Sequence, residues 1–166
     1  MLYLNGPEAY WAHVGDSRMY HFRGGELLNR TCDHSVAQLL VSEGRLNEAD
    51  AASSPMQNQL YMRLGGNNMP TPELGASIVE DSEFFLLCSD GLSGVLPDNL
   101  LERVLGEVPD PTAAVTELVD LALSAGMNYI TIASKHHDGF CLFRTKETEF
   151  NVMNAPCGRD LIGELY

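Results

Sequence analysis

The stretch "FFLLCSDGLSG", residues 84–94, is the part of the sequence that most strongly indicates the fold. It contains an apolar segment, suited to a strand in the protein interior, that is followed directly by a carboxylate. Four successive apolar residues, 84–87, are typical of a strand buried in a sheet. The run stops at Ser89-Asp90-Gly91. A carboxylate at a strand end is held rigidly with its oxygens outward, as ligands of Mg²⁺ or Mn²⁺ are presented. Asp and Gly also dominate turns that bind nothing, so the spacing alone leaves both interpretations open.

The composition limits the function classes. The chain has 166 residues, 45% hydrophobic and 20% charged, with a formal net charge of −13. That length and apolar content suit one domain with a real core. The negative charge argues against nucleic-acid binding, which needs basic residues to displace counterions, and against docking on anionic lipid. We therefore expect no nucleic-acid partner and no membrane partner, and the composition leaves the oligomeric state open.

The cysteines and the N-terminus bear on the compartment. The four cysteines, at positions 32, 88, 141 and 157, form no Cys-x-x-Cys pair. This pattern favours reduced thiols in a cytoplasmic protein. No stretch reaches the roughly 20 apolar residues of a membrane span, and residues 1–18 lack the pattern of a signal peptide.

The order of predicted elements indicates an α+β fold, with antiparallel strands first and helices added to one side. Strands are predicted over 2–4, 9–14, 17–23 and 26–30, forming a meander with Gly15-Asp16 in a tight hairpin turn. Ser35 and Asn47 open two short helices, residues 53–75 read as a long loop, and two strands follow at 75–80 and 83–89. Asp98 begins a helix, and Asp110 caps another that carries Pro111 at its first position. Beyond Gly126, strands at 128–134 and 139–144 and a helix over 158–165 are predicted.

Three segments carry a resemblance to a known family. They are "AHVGDSRMYHFRGGEL", "DHSVAQLLVSEGRLNEADA" and "FFLLCSDGLSGVLPDNLLERVL". In this order and spacing they resemble the C-terminal half of a metal-dependent serine/threonine protein phosphatase of the PPM or type-2C family, over residues 1–126. The resemblance implies part of an antiparallel β-sandwich with flanking helices, a Mn²⁺ or Mg²⁺ cofactor and a phosphoprotein substrate. It also implies that Asp90 is a ligand of the two-metal cluster, and Asp16 a ligand of an accessory third ion.

Part of that family's metal-binding pattern is missing from the sequence. Two neighbouring divalent ions repel each other and need several carboxylates to neutralise them. The family supplies these partly from a "DGHGG"-type motif, which does not occur here, and from an Asp whose place Asn128 takes. We therefore expect an incomplete cluster and weak or absent activity. We also expect an aggregation-prone chain, because a sandwich without its first strands leaves edges and apolar faces open.

The last forty residues resemble a different family. The segment 125–165, which includes "SKHHDGF" at 134–140, is similar to α-L-fucosidases, retaining glycoside hydrolases with a (β/α)8 barrel. The resemblance implies a strand-loop-helix piece of such a barrel, in which His136 and His137 contact sugar hydroxyls. That family's catalytic carboxylates have no counterpart in this sequence, so cleavage by two flanking carboxylates is not expected.

Three functional hypotheses follow. The chain is an incomplete phosphatase domain (1–126) joined to a fucosidase-like segment (127–166), with phosphatase-type chemistry as the first hypothesis. The second is a fucosidase fragment. The third is a non-catalytic, chimeric or truncated domain.

Overall fold

The structure, a computed structural model, describes residues 1–65, 69–127, 141–155 and 157–165. The chain divides into two compact units, Met1–Asn128 and Tyr129–Tyr166. None of the helices in the described part of the chain is long and apolar enough to cross a membrane.

The first unit contains six strands and five α-helices in its described residues. In chain order they are β1 (Leu2–Asn5), β2 (Glu8–His13), β3 (Arg18–Arg23), β4 (Glu26–Arg30), α1 (Val36–Ser42), α2 (Glu48–Ala52), β5 (Glu73–Ile78), β6 (Glu83–Cys88), α3 (Asp90–Ser93), α4 (Asp98–Glu107) and α5 (Pro111–Ser124). A 3-10 turn, Pro55–Asn58, lies between α2 and β5.

Local signals account for most of these boundaries. The side chains of Ser35, Asn47 and Asp110 each accept a hydrogen bond from the backbone of the first turn of α1, α2 and α5, as the sequence predicts. The short helix α3 was not predicted, and β5 begins two residues earlier than expected.

The strands form two antiparallel sheets, each of three strands. The first sheet has the order β1-β2-β5 and the second has the order β4-β3-β6. The predicted meander is therefore wrong at one point, because β2 and β3 are not paired and the chain crosses from one sheet to the other between them. The connection from β5 to β6 makes the same crossing. Hydrophobic alternation cannot distinguish a crossing from a hairpin, since both place a short polar turn between two strands.

The main core lies between the second sheet and the two long helices. Tyr20 and Phe22 of β3 are fully buried against Leu101 and Val104 of α4 and Leu118 of α5. These helical residues lie on one face of each helix, as the apolar spacing predicts. The α+β prediction, with antiparallel sheets and helices on one side, is confirmed in this unit.

Helix α4 approaches the β3–β4 hairpin closely enough to require glycine on both sides. A Cβ atom built on Gly25 would lie 2.4 Å from Cα of Gly106 in α4, and Gly25 also has a positive φ of 86°. The backbone N–H of Leu27 donates to Oε1 of Glu102 at 2.9 Å. This docking fixes the second sheet beneath the helices.

The opposite faces of the sheets are also buried in part. Ala9 and Trp11 of β2 and Met19 and His21 of β3 are buried, although they do not belong to the helix-side core. Trp11 lies directly across from Gly75 in the β2–β5 register. A Cβ atom on Gly75 would come within 2.2 Å of the indole ring, so the missing side chain makes room for Trp11.

The outer face of the first sheet is apolar and exposed. Tyr3, Tyr10, Leu74 and Ile78 share this face by register, and the exposed fractions of Leu74 and Ile78 are 73% and 62%. Large exposed apolar patches favour association between molecules. The expectation of an aggregation-prone chain agrees with this surface and stays a prediction.

A buried ion pair joins β3 to the start of β6. His21 Nε2 lies 2.6 Å from Oε2 of Glu83, and Arg23 Nε donates to Oε1 of the same carboxylate at 2.7 Å. Burial alone would raise the pKa of Glu83, but the hydrogen bonds from His21 and Arg23 outweigh it and lower that pKa. The charged carboxylate is therefore the form that the folded state favours.

In the second unit, the described residues contain little regular structure. Cys141 and Asn151 form an isolated parallel bridge, and 3-10 turns occur at Val152–Asn154 and Gly163–Leu165. The helix predicted over 158–165 is wrong, because only its last three residues are helical and in the 3-10 form. Gly158 has a positive φ and Gly163 interrupts the segment, and glycine weakens a helix. The strand predicted over 128–134 lies outside the described residues, and the barrel-like strand-loop-helix piece is not confirmed.

Replacing Gly75 with alanine will destabilise the first unit by about 1–3 kcal/mol, because the new methyl group overlaps the Trp11 ring. Urea unfolding followed by far-UV circular dichroism, which does not depend on the single tryptophan, measures the change. The control is Ala76→Ser, the next residue on the exposed face of the same strand, which should stay within about 0.5 kcal/mol of the parent. If the double variant Trp11→Phe/Gly75→Ala is more stable than Gly75→Ala, the steric overlap lies at the indole ring. If Gly75→Ala is as stable as the parent, the prediction of a steric overlap is wrong.

The lowered pKa of Glu83 predicts that the folded state loses stability in acid. Since its pKa is lower in the folded state than in the unfolded chain, its contribution is full above the unfolded value, near 4.3, and is lost as the pH falls through the folded value. Glu83→Gln should therefore cost about 1.5–3 kcal/mol at pH 7 and progressively less below pH ~4. Urea unfolding across this pH range tests the expectation, with Glu117→Gln, at an exposed position of α5, as the control. A cost for Glu83→Gln that does not vary with pH would count against it.

Candidate metal centre

The two candidate ligands, Asp16 and Asp90, lie beyond the same end of two paired strands. In the antiparallel register of β3 and β6, Arg18 is directly opposite Cys88. Asp16 stands two residues before Arg18, and Asp90 stands two residues after Cys88. Because β3 and β6 are antiparallel, the start of β3 and the end of β6 lie side by side. Both aspartates therefore flank this end of the strand pair, which is called the edge below. The register therefore places two residues that are 74 positions apart in the sequence at the same end of one strand pair.

The turn that carries Asp16 differs from the prediction. It is not a hairpin turn but the connection by which the chain passes from β2 in one sheet to β3 in the other. Gly15 has a φ of 109°, which L side chains rarely adopt, so glycine is needed for the change of direction. Asp16 itself is partly exposed.

His34 holds this turn through two hydrogen bonds to Gly15. The backbone N–H of His34 donates to the carbonyl oxygen of Gly15 at 2.8 Å, and the N–H of Gly15 donates to Nδ1 of His34 at 3.1 Å. Burial lowers the pKa of His34, and its electrostatic interaction with His13 lowers it further. Both effects favour the neutral imidazole, which is the form that can accept this hydrogen bond at Nδ1. The segment after β4 thus positions the residue next to Asp16.

A second contact ties the same segment to β3. Arg18 donates through Nε and a terminal nitrogen to both carboxylate oxygens of Asp33, each at 2.8 Å, and through its other terminal nitrogen to the hydroxyl of Tyr20 at 3.0 Å. The hydrogen bond to Asp33 raises the pKa of Arg18 above its ordinary value. A bidentate pair of this kind is directional and strong. The guanidinium of Arg18 is therefore occupied by Asp33, and this pair fixes the start of β3.

Asp90 is the first residue of α3 and is exposed. Strand β6 ends at Cys88 and α3 starts at Asp90, so the apolar strand stops next to the carboxylate, as the sequence predicts. Neither Asp16 nor Asp90 makes a side-chain hydrogen bond or ion pair within the described part of the chain. Their oxygens are therefore available to a ligand.

A cavity of about 300 Å³ opens beside this edge. Its wall contains the neighbours of both aspartates, Ser17 and Ser89, together with Trp11, His13 and Leu87. It thus draws on both sheets and lies where β3 begins and β6 ends. A solvated ion or a small anion has room there.

The described residues do not complete a two-metal centre around these aspartates. Across residues 1–65, 69–127, 141–155 and 157–165, the group of three metal-ligating side chains within reach of one another is His13, His34 and Glu73, which includes neither Asp16 nor Asp90. A pair of divalent ions needs more negative charge than two carboxylates provide. The expectation of an incomplete cluster stays a prediction.

Sequence reasoning missed the group formed by His13, His34 and Glu73. His13 and Glu73 are cross-strand neighbours only because β5 pairs with β2, across some 60 intervening positions. None of the three belongs to a short spacing pattern that would identify a metal site. The other predicted site residues, His136 and His137, lie outside the described residues.

Comparisons with known proteins show that the chain is similar to serine/threonine protein phosphatases. The chain is 31% identical over 129 residues to the protein phosphatase PhpP of Streptococcus pneumoniae, covering 76% of this chain and 52% of that protein. The Streptococcus agalactiae serine/threonine phosphatase structure superimposes with a TM-score of 0.69 at 34% identity, covering 75% of this chain and 52% of that one. The catalytic domain of the serine/threonine phosphatase PstP, in a complex with two manganese ions, gives a TM-score of 0.64 at 34% identity over 75% of this chain and 51% of that one.

These similarities show a PPM phosphatase-like fold with antiparallel sheets and helices. The chain spans about half the length of the phosphatases just described. A separate family model, alpha-L-fucosidase, matches residues 114–166. That match begins inside α5, whose residues Ala114, Leu118 and Ala122 are buried in the core of the first unit.

Proposed function

We propose that the first unit belongs to a metal-dependent phosphatase centre of the PPM type, to which it contributes Asp90 as a core ligand and Asp16 as an accessory ligand of Mn²⁺ or Mg²⁺. The observation that carries the proposal is the β3–β6 register, which leaves both carboxylates unpaired at one edge beside a cavity. The similarity to phosphatases over three quarters of the chain supports it. The substrate class is phosphoserine and phosphothreonine in proteins.

The residues present fit part of such a centre. Carboxylate oxygens are the ligands that Mn²⁺ and Mg²⁺ prefer. When bound, the ions would supply an activated water for attack on phosphorus. The contribution of this chain is to hold two carboxylates at a fixed edge, through His34 on Gly15 and Asp33 on Arg18. Since a full set of ligands is not among the described residues, we expect weak activity or none from this chain.

We propose two parts in the chain: an incomplete PPM-type domain over residues 1–126 and an α-L-fucosidase-like segment over 127–166. The family match over 114–166 favours the second part and supports a fucosidase fragment as the alternative function. His136 and His137 are its proposed sugar contacts. A non-catalytic domain is the third possibility.

Hydrolysis of p-nitrophenyl phosphate with and without MnCl2 tests the phosphatase proposal. Any turnover should depend on Mn²⁺ and fall at least tenfold in Asp90→Asn, because a neutral amide brings no charge to the ion. The matched control is Asp81→Asn, an exposed carboxylate before β6 rather than after it, which should leave the rate unchanged.

Other outcomes favour the other hypotheses. Release of p-nitrophenol from p-nitrophenyl α-L-fucoside, lost in His136→Ala/His137→Ala, would support the fucosidase fragment. A phosphatase rate that is the same with and without Mn²⁺, and the same in Asp90→Asn as in the parent, would contradict the proposed role of this aspartate. If neither substrate is hydrolysed by a protein with a cooperative unfolding transition, the non-catalytic hypothesis is favoured.

A further inference from the structure

Three metal-ligating side chains meet at the end of β2, and none of them is a proposed ligand of the phosphatase centre. They are His13, His34 and Glu73, called here the imidazole cluster, and their ligand atoms all lie within 4.8 Å of one another. His13 and Glu73 are directly opposite in the β2–β5 register, and His34 comes from the segment after β4. The rings of His13 and His34 are tilted against each other with centroids 4.9 Å apart.

His13 is buried without a hydrogen bond. Its exposed fraction is 7%, and both of its ring nitrogens lack a hydrogen-bond partner among the described residues. Nδ1 lies 3.4 Å from Oε2 of Glu73, close enough for an ion pair but without the geometry of a hydrogen bond. Leaving a buried polar group unpaired is unfavourable, so native structures rarely do it without a compensating ligand.

The donor set selects the kind of ion. Two imidazoles and one carboxylate are a common set for Zn²⁺, whereas Mg²⁺ and Mn²⁺ favour oxygen ligands. In a tetrahedral zinc site with bonds of 2.0–2.1 Å, neighbouring ligand atoms are about 3.3 Å apart. The 3.4 Å between His13 and Glu73 already matches that separation.

The surroundings leave room for entry and for a fourth ligand. The side chain of Glu73 is 36% exposed, which gives an ion a path from solvent. Its Oε2, the oxygen that lies 3.4 Å from Nδ1 of His13, also accepts the backbone N–H of Cys32 at 3.3 Å, which holds this oxygen in place. His13 lines the cavity of about 300 Å³ described above, where a water molecule can take the open position.

We propose that His13, His34 and Glu73 bind one Zn²⁺ ion, with water as the fourth ligand. The site uses no residue assigned to the manganese centre, and it does not depend on the proposed phosphatase function.

Zinc binding also acts on the turn that carries Asp16. A neutral imidazole has one nitrogen lone pair to offer, and that of His34 now accepts the N–H of Gly15. If His34 gives this lone pair to zinc, the Gly15 hydrogen bond must break, whichever ring nitrogen binds the ion. Zinc therefore competes with one of the two contacts that fix Gly15 next to Asp16.

Titration of the 166-residue chain with CoCl2, followed by displacement with ZnCl2, tests the site. One equivalent of Co²⁺ should give the intense visible absorption of a tetrahedral site, and Zn²⁺ should abolish it. Glu73→Gln and His13→Gln should each weaken binding at least tenfold, since loss of a ligand should exceed the roughly 10–100-fold effect of losing a residue that only supports one. In ¹⁵N-labelled protein, zinc should shift the amide resonance of Gly15.

Two controls separate this site from other metal-binding groups. Asp90→Asn should keep its cobalt spectrum even where it abolishes hydrolysis, so failure of the phosphatase proposal leaves this test intact. The double variant His136→Ala/His137→Ala should also keep it, because those histidines are not part of the cluster. Circular dichroism on each variant confirms folding, and if His13→Gln does not fold, the half-exposed Glu73→Gln decides.

Three results would overturn the proposal. They are the absence of a tetrahedral cobalt spectrum in the folded parent protein, a spectrum and affinity unchanged in Glu73→Gln, or loss of the spectrum in the His136/His137 variant with retention in the cluster variants.

Discussion

The pairing of β3 with β6 is the constraint on which the rest of the molecule depends. It sets Arg18 opposite Cys88, and thereby places the connection to β3 and the start of α3 at the same edge. The same two strands carry the buried His21–Glu83 contact at the far end of the ladder, so both ends of the pairing are specified. On the helix side, Tyr20 and Phe22 anchor the pair under α4 and α5. A slip of one residue would turn these side chains away from the core and separate the aspartates, which is why the register is well determined.

Polar contacts made by the segment between β4 and α1 fix the backbone position of the residues on either side of Asp16. Arg18 is held by Asp33, and Gly15 is held by His34, so neighbouring residues of one short segment fix both sides of Asp16. Such contacts orient the backbone and keep the carboxylate free of intramolecular partners. The consequence is that the residues between β4 and α1 matter to the site without supplying a proposed manganese ligand. Mutations there would alter metal affinity through geometry rather than through loss of a donor.

The two metal assignments differ in the chemistry of their donors. Exposed carboxylates at a strand end suit a hard ion that keeps part of its water shell, while two buried imidazoles and a carboxylate suit zinc. The two proposed sites meet at Gly15, whose carbonyl oxygen and N–H both form hydrogen bonds with His34. This shared residue provides a physical route by which occupancy of one site alters the other.

The sequence by itself determined the local structure of the first unit. The apolar run 84–87, the caps at Ser35, Asn47 and Asp110, and the period of α5 are short-range signals. Signals of this kind led to the six strands, to four of the five α-helices and to the α+β class. The three phosphatase-like motifs pointed to Asp16 and Asp90 as candidates. Only the tertiary structure decided that β2 and β3 belong to different sheets, and that His13, His34 and Glu73 meet. Sheet membership and such clusters depend on pairings between distant strands, and these are set by burial across the whole unit rather than by the residues of any one segment.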